Sequence, residues 1–269
     1  MKRIITKPIY MFLLIVLYGT LSLPFAVTFV VPVQAAEGVK QPAKQDWGFD
    51  GLLGTFDRNA LRRGYKVYQQ VCAACHGMKY VRFRNLAQAG GPEFTLDEVK
   101  AIAAEYFVED GPDLEGNMFE RPALPRDRFI EPYPNEETAR AVNNGALPPD
   151  LSLIVKARAH GADYIYAILM GYEEAPPDMQ MAVGYSYNPY MSSRTIAMTQ
   201  PLFDDLIEYT DGTQATQEQM ARDVVTFLAW AAEPEMEARK KLGLMTIIYL
   251  LILTGLLYFS MRKVWHGKH

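Results

Sequence analysis

The sequence predicts a mainly α-helical protein with long loops and one C-terminal transmembrane helix. Three observations lead to this prediction. Apolar residues recur at helical spacing behind several capping residues, the segments between them are rich in Pro and Gly, and Leu242–Met261 runs for 20 residues without a charge. The chain is 49% hydrophobic and 22% charged, which excludes a disordered chain and provides enough apolar surface for a core.

Capping residues mark the helices. Asp57 precedes a run in which Leu61, Tyr65, Tyr68 and Cys72 recur at helical spacing, so the first predicted helix leads directly into the cysteines. Further helices are predicted after a capping box at Thr95–Glu98, over Glu136–Val142 behind Asn135, over Asp163–Leu169, and after a capping box at Thr216–Gln219, ending at Pro234.

The two ends of the chain indicate export and membrane anchoring. Residues 1–35 place basic residues ahead of the apolar run Ile9–Val33 and end in small residues, a pattern typical of a cleaved bacterial signal peptide. A retained N-terminal anchor is the alternative. Segment 239–269 contains an apolar stretch that would span about 30 Å as a helix, the thickness of a bilayer core.

The orientation of the anchor follows from the signal. Three basic residues lie on each side of the apolar stretch, so their balance does not decide it. An exported chain would leave residues 36–238 in the periplasm and the short tail in the cytoplasm. We therefore predict a single-pass protein of the bacterial inner (cell) membrane.

The exported region is strongly acidic. Residues 36–238 carry all 31 Asp and Glu of the chain and 18 of its Lys and Arg, a net charge of −13. Such a surface excludes nucleic acid as a partner and favours cationic proteins. Solubility alone would also explain it.

The segment Val71–His76, VCAACH, contains the only two cysteines of the chain. A disulfide between Cys72 and Cys75 would close too short a loop to stabilise the fold, and a zinc site or a thioredoxin-like dithiol lacks its further ligands or its βαβ setting. Covalent haem attachment remains: the two thiols bind one haem c, and His76 is an axial ligand of its iron. Because the predicted helices are few and the loops long, we expect the haem itself to form the core.

The residues alone leave the sixth iron ligand open. Met198 lies among small apolar residues ahead of Pro201, which suits a thioether beside a haem face. His160 is the alternative in the exported region, and Met179, Met181 and Met191 are further candidates.

Several stretches beyond the haem motif resemble the cytochrome c1 family, the haem subunit of the bacterial cytochrome bc1 complex (ubiquinol–cytochrome c reductase). They occur in order along the chain: WGFDG with GTFDR (Trp47–Arg58), RGYKVYQQVCAACHGMKYVRFRNL (Arg63–Leu86), NNGALPPDLSLIVKARAHGADY (Asn143–Tyr164), YNPY (Tyr187–Tyr190) and IAMTQPL (Ile196–Leu202). The resemblance implies a class I-like c-type cytochrome fold with long loop insertions.

The resemblance also implies roles for individual residues. Met198 falls on the axial methionine position, so His76 and Met198 would be the two iron ligands. Arg158 matches an arginine beside a haem propionate, and Asn143, Pro148, Pro149 and Tyr164 match positions that line the haem pocket. The sequence departs from the family at Met191, where Phe is common, and at Ser192–Ser193, where Pro-Gly is usual.

As a member of this family, the protein would be an electron relay and not an enzyme on its own. The resemblance implies that it takes one electron from the Rieske iron–sulfur protein and passes it to a soluble or membrane-tethered c-type cytochrome, in respiratory or photosynthetic electron transport. Cytochrome b and membrane lipid would be its other partners, within a dimeric complex. The alternatives from the residues alone are a membrane-anchored c-type cytochrome acting as an independent carrier, and a haem enzyme with an open iron position.

Overall fold

A computed structural model describes residues 39–267, and the predicted signal peptide therefore lies outside the described residues. This part of the chain contains six α-helices, two short 3₁₀ helices and four short strands, which confirms the mainly α-helical class. The helices are α1 (Arg58–Gln70), α2 (Leu96–Ala104), α3 (Glu136–Val142), α4 (Gly161–Met170), α5 (Gln217–Ala232) and α6 (Met236–Trp265). The 3₁₀ helices span Cys72–Ala74 and Phe83–Ala87.

Most of the predicted caps are present. The Asp57 carboxylate accepts from the backbone N–H groups of Asn59 and Ala60, and Asn135 accepts from Thr138. Thr95 and Glu98 form the complete capping box, in which each side chain bonds the other residue's backbone N–H.

Two helix starts differ from the prediction. Helix α4 begins at Gly161, two residues before the predicted start, behind His160 in a left-handed conformation (φ 65°). Thr216 accepts from the Gln219 backbone N–H, but the Gln219 amide donates to Asp223, 3.1 Å away. The predicted box at α5 is therefore wrong in its second half, because Asp223 competes for the Gln219 side chain.

The core lies between α1 and α5. Helix α5 is buried around almost its entire circumference, including Phe227 and Trp230, and one of its sides packs against the face of α1 that carries Leu61 and Tyr65. Tyr65 meets Phe227 edge to face, with ring centroids 5.8 Å apart. The expectation that haem itself forms the core is wrong: side chains of the protein build a contiguous core, and Cys72 and Met198 pack against it.

Four short strands lie in the segments between the helices. Strands β1 (Phe107–Asp110) and β2 (Phe119–Pro122) form one antiparallel hairpin, and β3 (Ser186–Tyr187) and β4 (Thr195–Ile196) form another. Strands of two to four half-exposed residues need little periodic pattern, which explains why the sequence shows few strand signals in these segments.

Helix α6 is long and apolar enough to cross a membrane. It runs for 30 residues with a mean hydropathy of 2.2 over its most apolar window, and none of that window is buried within the protein. Its first five residues, by contrast, are attached through Glu237 and Lys240 to the part of the chain that contains the cysteine motif, called the haem-motif domain below. The length and hydropathy of α6 confirm the predicted C-terminal transmembrane helix.

Candidate haem site

The cysteine motif follows α1 without an intervening loop. The chain tightens into the 3₁₀ turn Cys72–Ala74, and the Cys72 carbonyl accepts from the N–H groups of both Cys75 and His76, at 3.1 and 2.9 Å. One carbonyl thus holds the start and the end of the motif together. The buried Tyr68 of α1 adds a hydrogen bond from its hydroxyl to the His76 carbonyl, at 3.2 Å.

Both thiols are free and partly buried. Burial raises the pKa of the Cys72 thiol to about 12, with the neighbouring Cys75 adding to the shift. Cys72 is therefore a neutral thiol at neutral pH. Such a thiol is a poor metal ligand, because metals bind the thiolate form.

His76 is held in one orientation by a backbone carbonyl. Its Nδ1 lies 2.8 Å from the Pro149 oxygen, and this oxygen can only accept. Burial lowers the pKa of His76, partly opposed by the Pro149 carbonyl and by Asp150, so the neutral ring carries its proton on Nδ1. Nε2 keeps its lone pair, which is the state that an iron-ligating histidine requires.

The loop around Pro148 and Pro149 is tied to the segment that follows His76. The Leu151 N–H donates to the Gly77 carbonyl, and the Asp150 carboxylate accepts from the Lys79 N–H, both at 2.9 Å. The structure thus brings the predicted pocket residue Pro149 to the predicted ligand His76. Pro148 is half-buried in the same loop.

Met198 lies just beyond β4 and packs, half-buried, against the hydrophobic core that Cys72 also contacts. The Tyr172 hydroxyl donates to the Met198 carbonyl at 3.1 Å, and burial raises the pKa of Tyr172. Tyr172 was missed in the sequence, where nothing connects it to a residue 26 positions away.

The remaining predicted pocket residues make other contacts. Asn143 ends α3 and donates to the Tyr133 hydroxyl at 3.0 Å and to the Ala139 carbonyl at 2.7 Å. Tyr164 is half-buried, and its hydroxyl lies 3.4 Å from the sulfur of Met191. Within residues 39–267, no hydrogen bond or ion pair joins Asn143, Tyr164, Arg158 or Met198 to the Cys72–His76 segment.

Arg158 and His160 are both exposed. Arg158 makes no ion pair within the described residues; its guanidinium donates only to the carbonyl of Ala157. Burial raises the pKa of Tyr164, and the positive charge of Arg158 partly offsets this rise. A cation without an acid partner next to a predicted pocket residue fits a negatively charged ligand group.

The chain supplies groups that suit a haem: two free thiols, a histidine with its Nε2 lone pair free, and an arginine whose guanidinium has no acid partner within the described residues. A mainly α-helical domain with this motif, together with a helix long enough to span a membrane within the described residues, is typical of membrane-anchored c-type haem proteins. The family model of the cytochrome C1 family matches residues 47–268. The chain belongs to the cytochrome c1 family, whose members are the haem subunits of the bc1 complex with cytochrome b.

The relatives support this assignment. A protein described as cytochrome c1, heme protein, mitochondrial, of Schizosaccharomyces pombe is 49% identical over 222 residues, which cover 82% of this chain and 71% of that protein. Cytochrome c1 of Rhodospirillum rubrum is 44% identical over 253 residues, 88% of this chain and 92% of the relative. Cytochrome b/c1 of Bradyrhizobium diazoefficiens is 47% identical over 255 residues, but the chain spans only 37% of its length.

Proposed function

We propose that the protein is the electron-relay subunit of a cytochrome bc1 complex and carries one haem c bound covalently through Cys72 and Cys75. The observation that carries this proposal is the 2.8 Å contact between His76 Nδ1 and the Pro149 oxygen. It leaves Nε2 free to bind iron, in a histidine that directly follows the second cysteine in the chain. When bound, the haem iron changes between its ferric and ferrous states and so takes up and releases one electron.

His76 and Met198 are the two axial ligands in this proposal. Two side chains of the same chain would then fill both axial positions and leave none for dioxygen or a substrate. Tyr172 supports this arrangement, because its hydrogen bond to the Met198 carbonyl fixes the backbone that carries the thioether.

Arg158 neutralises a haem propionate in this proposal. Its guanidinium is not engaged by any acid within residues 39–267, so it can donate to a carboxylate without breaking an existing ion pair. Asn143, Pro148, Pro149 and Tyr164 line the rest of the pocket. Of these, Pro149 has the best support, because its carbonyl orients His76.

The proposed partners follow from the family and from charge. The protein accepts an electron from the Rieske iron–sulfur protein and passes it to a c-type cytochrome, in respiratory or photosynthetic electron transport within a dimeric complex. Residues 36–238 lie in the periplasm of a bacterium in this proposal. Their net charge of −13 favours a cationic acceptor, whose association should slow as salt is added.

The replacement Met198→Leu tests the ligand assignment. We expect the membrane-purified variant to keep its covalent haem on a denaturing gel, to fall sharply in reduction potential and to bind carbon monoxide when reduced. Met118→Leu, at a methionine that is 54% exposed, is the control and should leave the potential and the spectrum unchanged. An unaltered potential in Met198→Leu would place the sixth ligand elsewhere, with His160 as the next candidate.

A further inference from the structure

The loop between Trp47 and Phe56 carries two adjacent leucines that point to a second membrane contact. Leu52 is 62% exposed and Leu53 is 76% exposed, although both belong to a segment that is otherwise anchored at its ends. Gly51, directly before them, has no heavy atom within 4 Å of where a Cβ would lie. Nothing in residues 39–267 covers the tip of this loop.

Hydrogen bonds attach this loop to the start of α6. The Lys240 ammonium donates to the carbonyl of Phe49 at 2.7 Å and to that of Gly54 at 3.0 Å, so one side chain of α6 holds both ends of the loop. The Phe56 N–H donates to the Glu237 carboxylate at 2.8 Å. The loop is therefore fixed beside the last polar turn ahead of the apolar stretch.

These contacts place both ends of the loop beside Lys240. Gly54 is bound by Lys240 and Phe56 by Glu237, which is three residues, or about 4.5 Å, nearer the start of α6. The apolar stretch begins at Leu242, two residues or about 3 Å beyond Lys240 along the helix axis, so Leu52 and Leu53 belong to a loop whose two ends are held close to that stretch.

We propose that Leu52 and Leu53 insert into the membrane interface beside α6, between the lipid headgroups and the acyl chains. Two further observations favour lipid as the occupant. Leu242, two residues after the lysine that holds the loop, is likewise an exposed apolar side chain, at 66%. Lys241 is exposed and makes no ion pair within the described residues, so a cation is available there for lipid phosphate.

This contact would hold the haem-motif domain at a fixed height and tilt above the membrane. A single helix leaves the domain free to rotate about the helix axis and to lean, whereas a second apolar contact next to it restricts both movements. The inference rests on the membrane helix and on the loop geometry and does not depend on the proposed electron route.

Spin-label accessibility tests the proposal. Leu53→Cys is labelled in the full chain, purified from membranes with its accompanying subunits and reconstituted into phosphatidylcholine–phosphatidylglycerol vesicles. Leu114→Cys, in the β1–β2 connection and fully exposed, is the control for water, and Met245→Cys, 58% exposed on α6, is the control for lipid. The unsubstituted chain, labelled in parallel, measures any background from Cys72 and Cys75.

We expect the ratio of oxygen to nickel-chelate collisions at position 53 to exceed that at position 114 several-fold and to approach that at position 245, because oxygen concentrates in lipid and the chelate stays in water. A ratio equal to that at position 114 would place the loop in water and overturn the proposal. Low accessibility to both reagents would overturn it as well, because the leucines would then be packed against another protein subunit.

Discussion

Arg58 and Glu237 form a two-pronged ion pair that connects the first helix of the domain with the first turn of the membrane helix. Each of the two guanidinium NH₂ groups donates to its own carboxylate oxygen at 2.7 Å, and the Phe56 N–H donates to one of these two oxygens as well. Because α1 leads directly into the Cys72–His76 motif, this pair links the proposed haem site to the membrane anchor.

Glu237→Gln should destabilise the full chain by about 1–2 kcal/mol, since the pair is intermediate between exposed and buried ion pairs. The two side chains are 32% and 19% exposed. Glu218→Gln is the control, because Glu218 pairs with Arg222 on the surface of α5 and should cost less than about 0.5 kcal/mol. Denaturant unfolding in detergent measures the free energy of unfolding of both variants. Equal losses in the two would show that the Arg58–Glu237 pair contributes no more than an exposed ion pair.

Asp127 should make the β1–β2 hairpin sensitive to acid. Its carboxylate accepts hydrogen bonds from Arg121 of β2 at 2.6 Å and from the Leu124 N–H at 2.8 Å. These bonds, of which that with Arg121 has the larger effect, lower the pKa of Asp127 below its usual value of 3.8. A depressed carboxyl pKa stabilises the fold above the pKa of the unfolded chain, and this contribution is lost as the pH falls from about 4 through the folded pKa.

Amide exchange of β1 and β2 measures this effect. We expect protection to decrease between pH 4 and pH 3 in the wild type, and Asp127→Asn to show the lower protection already at pH 7. Asp97→Asn, at an exposed carboxylate that pairs with Lys100, is the control and should leave hairpin exchange unchanged. Equal protection in wild type and Asp127→Asn at pH 7 would show that the Arg121–Asp127 pair contributes nothing to the hairpin.

Gly64→Ala should disrupt the packing of α1 on α5. A Cβ at this position would lie 2.1 Å from the backbone oxygen of Asp223 and 2.7 Å from the Cβ of Phe227, and neither atom can move without shifting α5. We expect a loss of at least about 1–3 kcal/mol in the free energy of unfolding. Gly243→Ala, with no atom within 4 Å, should change it by less than about 1 kcal/mol. Comparable stability of the two variants would refute the close approach.

The Gly64 contact also illustrates what the sequence could and could not predict. Local patterns located the caps at Asp57, Thr95 and Asn135, because a cap bonds backbone groups within three residues. The haem motif is equally local. Contacts across the chain, such as that of Gly64 with Asp223, leave no trace in spacing.

The same distinction applies to the candidate site. The sequence alone named His76 but not the carbonyl that orients it, since any residue at position 149 provides a carbonyl. The family resemblance, not the spacing, selected Met198 from several methionines. The protein core was underestimated because the burial of α5 on nearly all sides depends on its neighbours and not on its own pattern.

Tyr172→Phe should weaken the proposed Met198 ligation without abolishing it. The hydrogen bond from Tyr172 to the Met198 carbonyl is worth about 0.5–1.5 kcal/mol. Without it, Met198 would compete less well for the iron, and the affinity for an external ligand such as imidazole would rise by about 2- to 13-fold. Tyr185→Phe, at a tyrosine that is 36% exposed, is the control and should leave imidazole binding unchanged. If Tyr172→Phe also leaves it unchanged, the hydroxyl does not position the ligand.

Arg158→Gln should lower the reduction potential of the proposed haem. A cation near a propionate favours the ferrous form, which has one positive charge less than the ferric form, and the uncharged amide removes this preference. Arg158→Lys keeps the charge and should restore most of the potential, whereas the loss of the planar guanidinium costs part of its hydrogen bonding. Lys100→Gln, at an exposed cation of α2, controls for net charge. A redox titration of the membrane-purified variants measures the shift in reduction potential. If Arg158→Gln and Lys100→Gln lower the potential equally, Arg158 acts only through the total charge and is not the propionate partner.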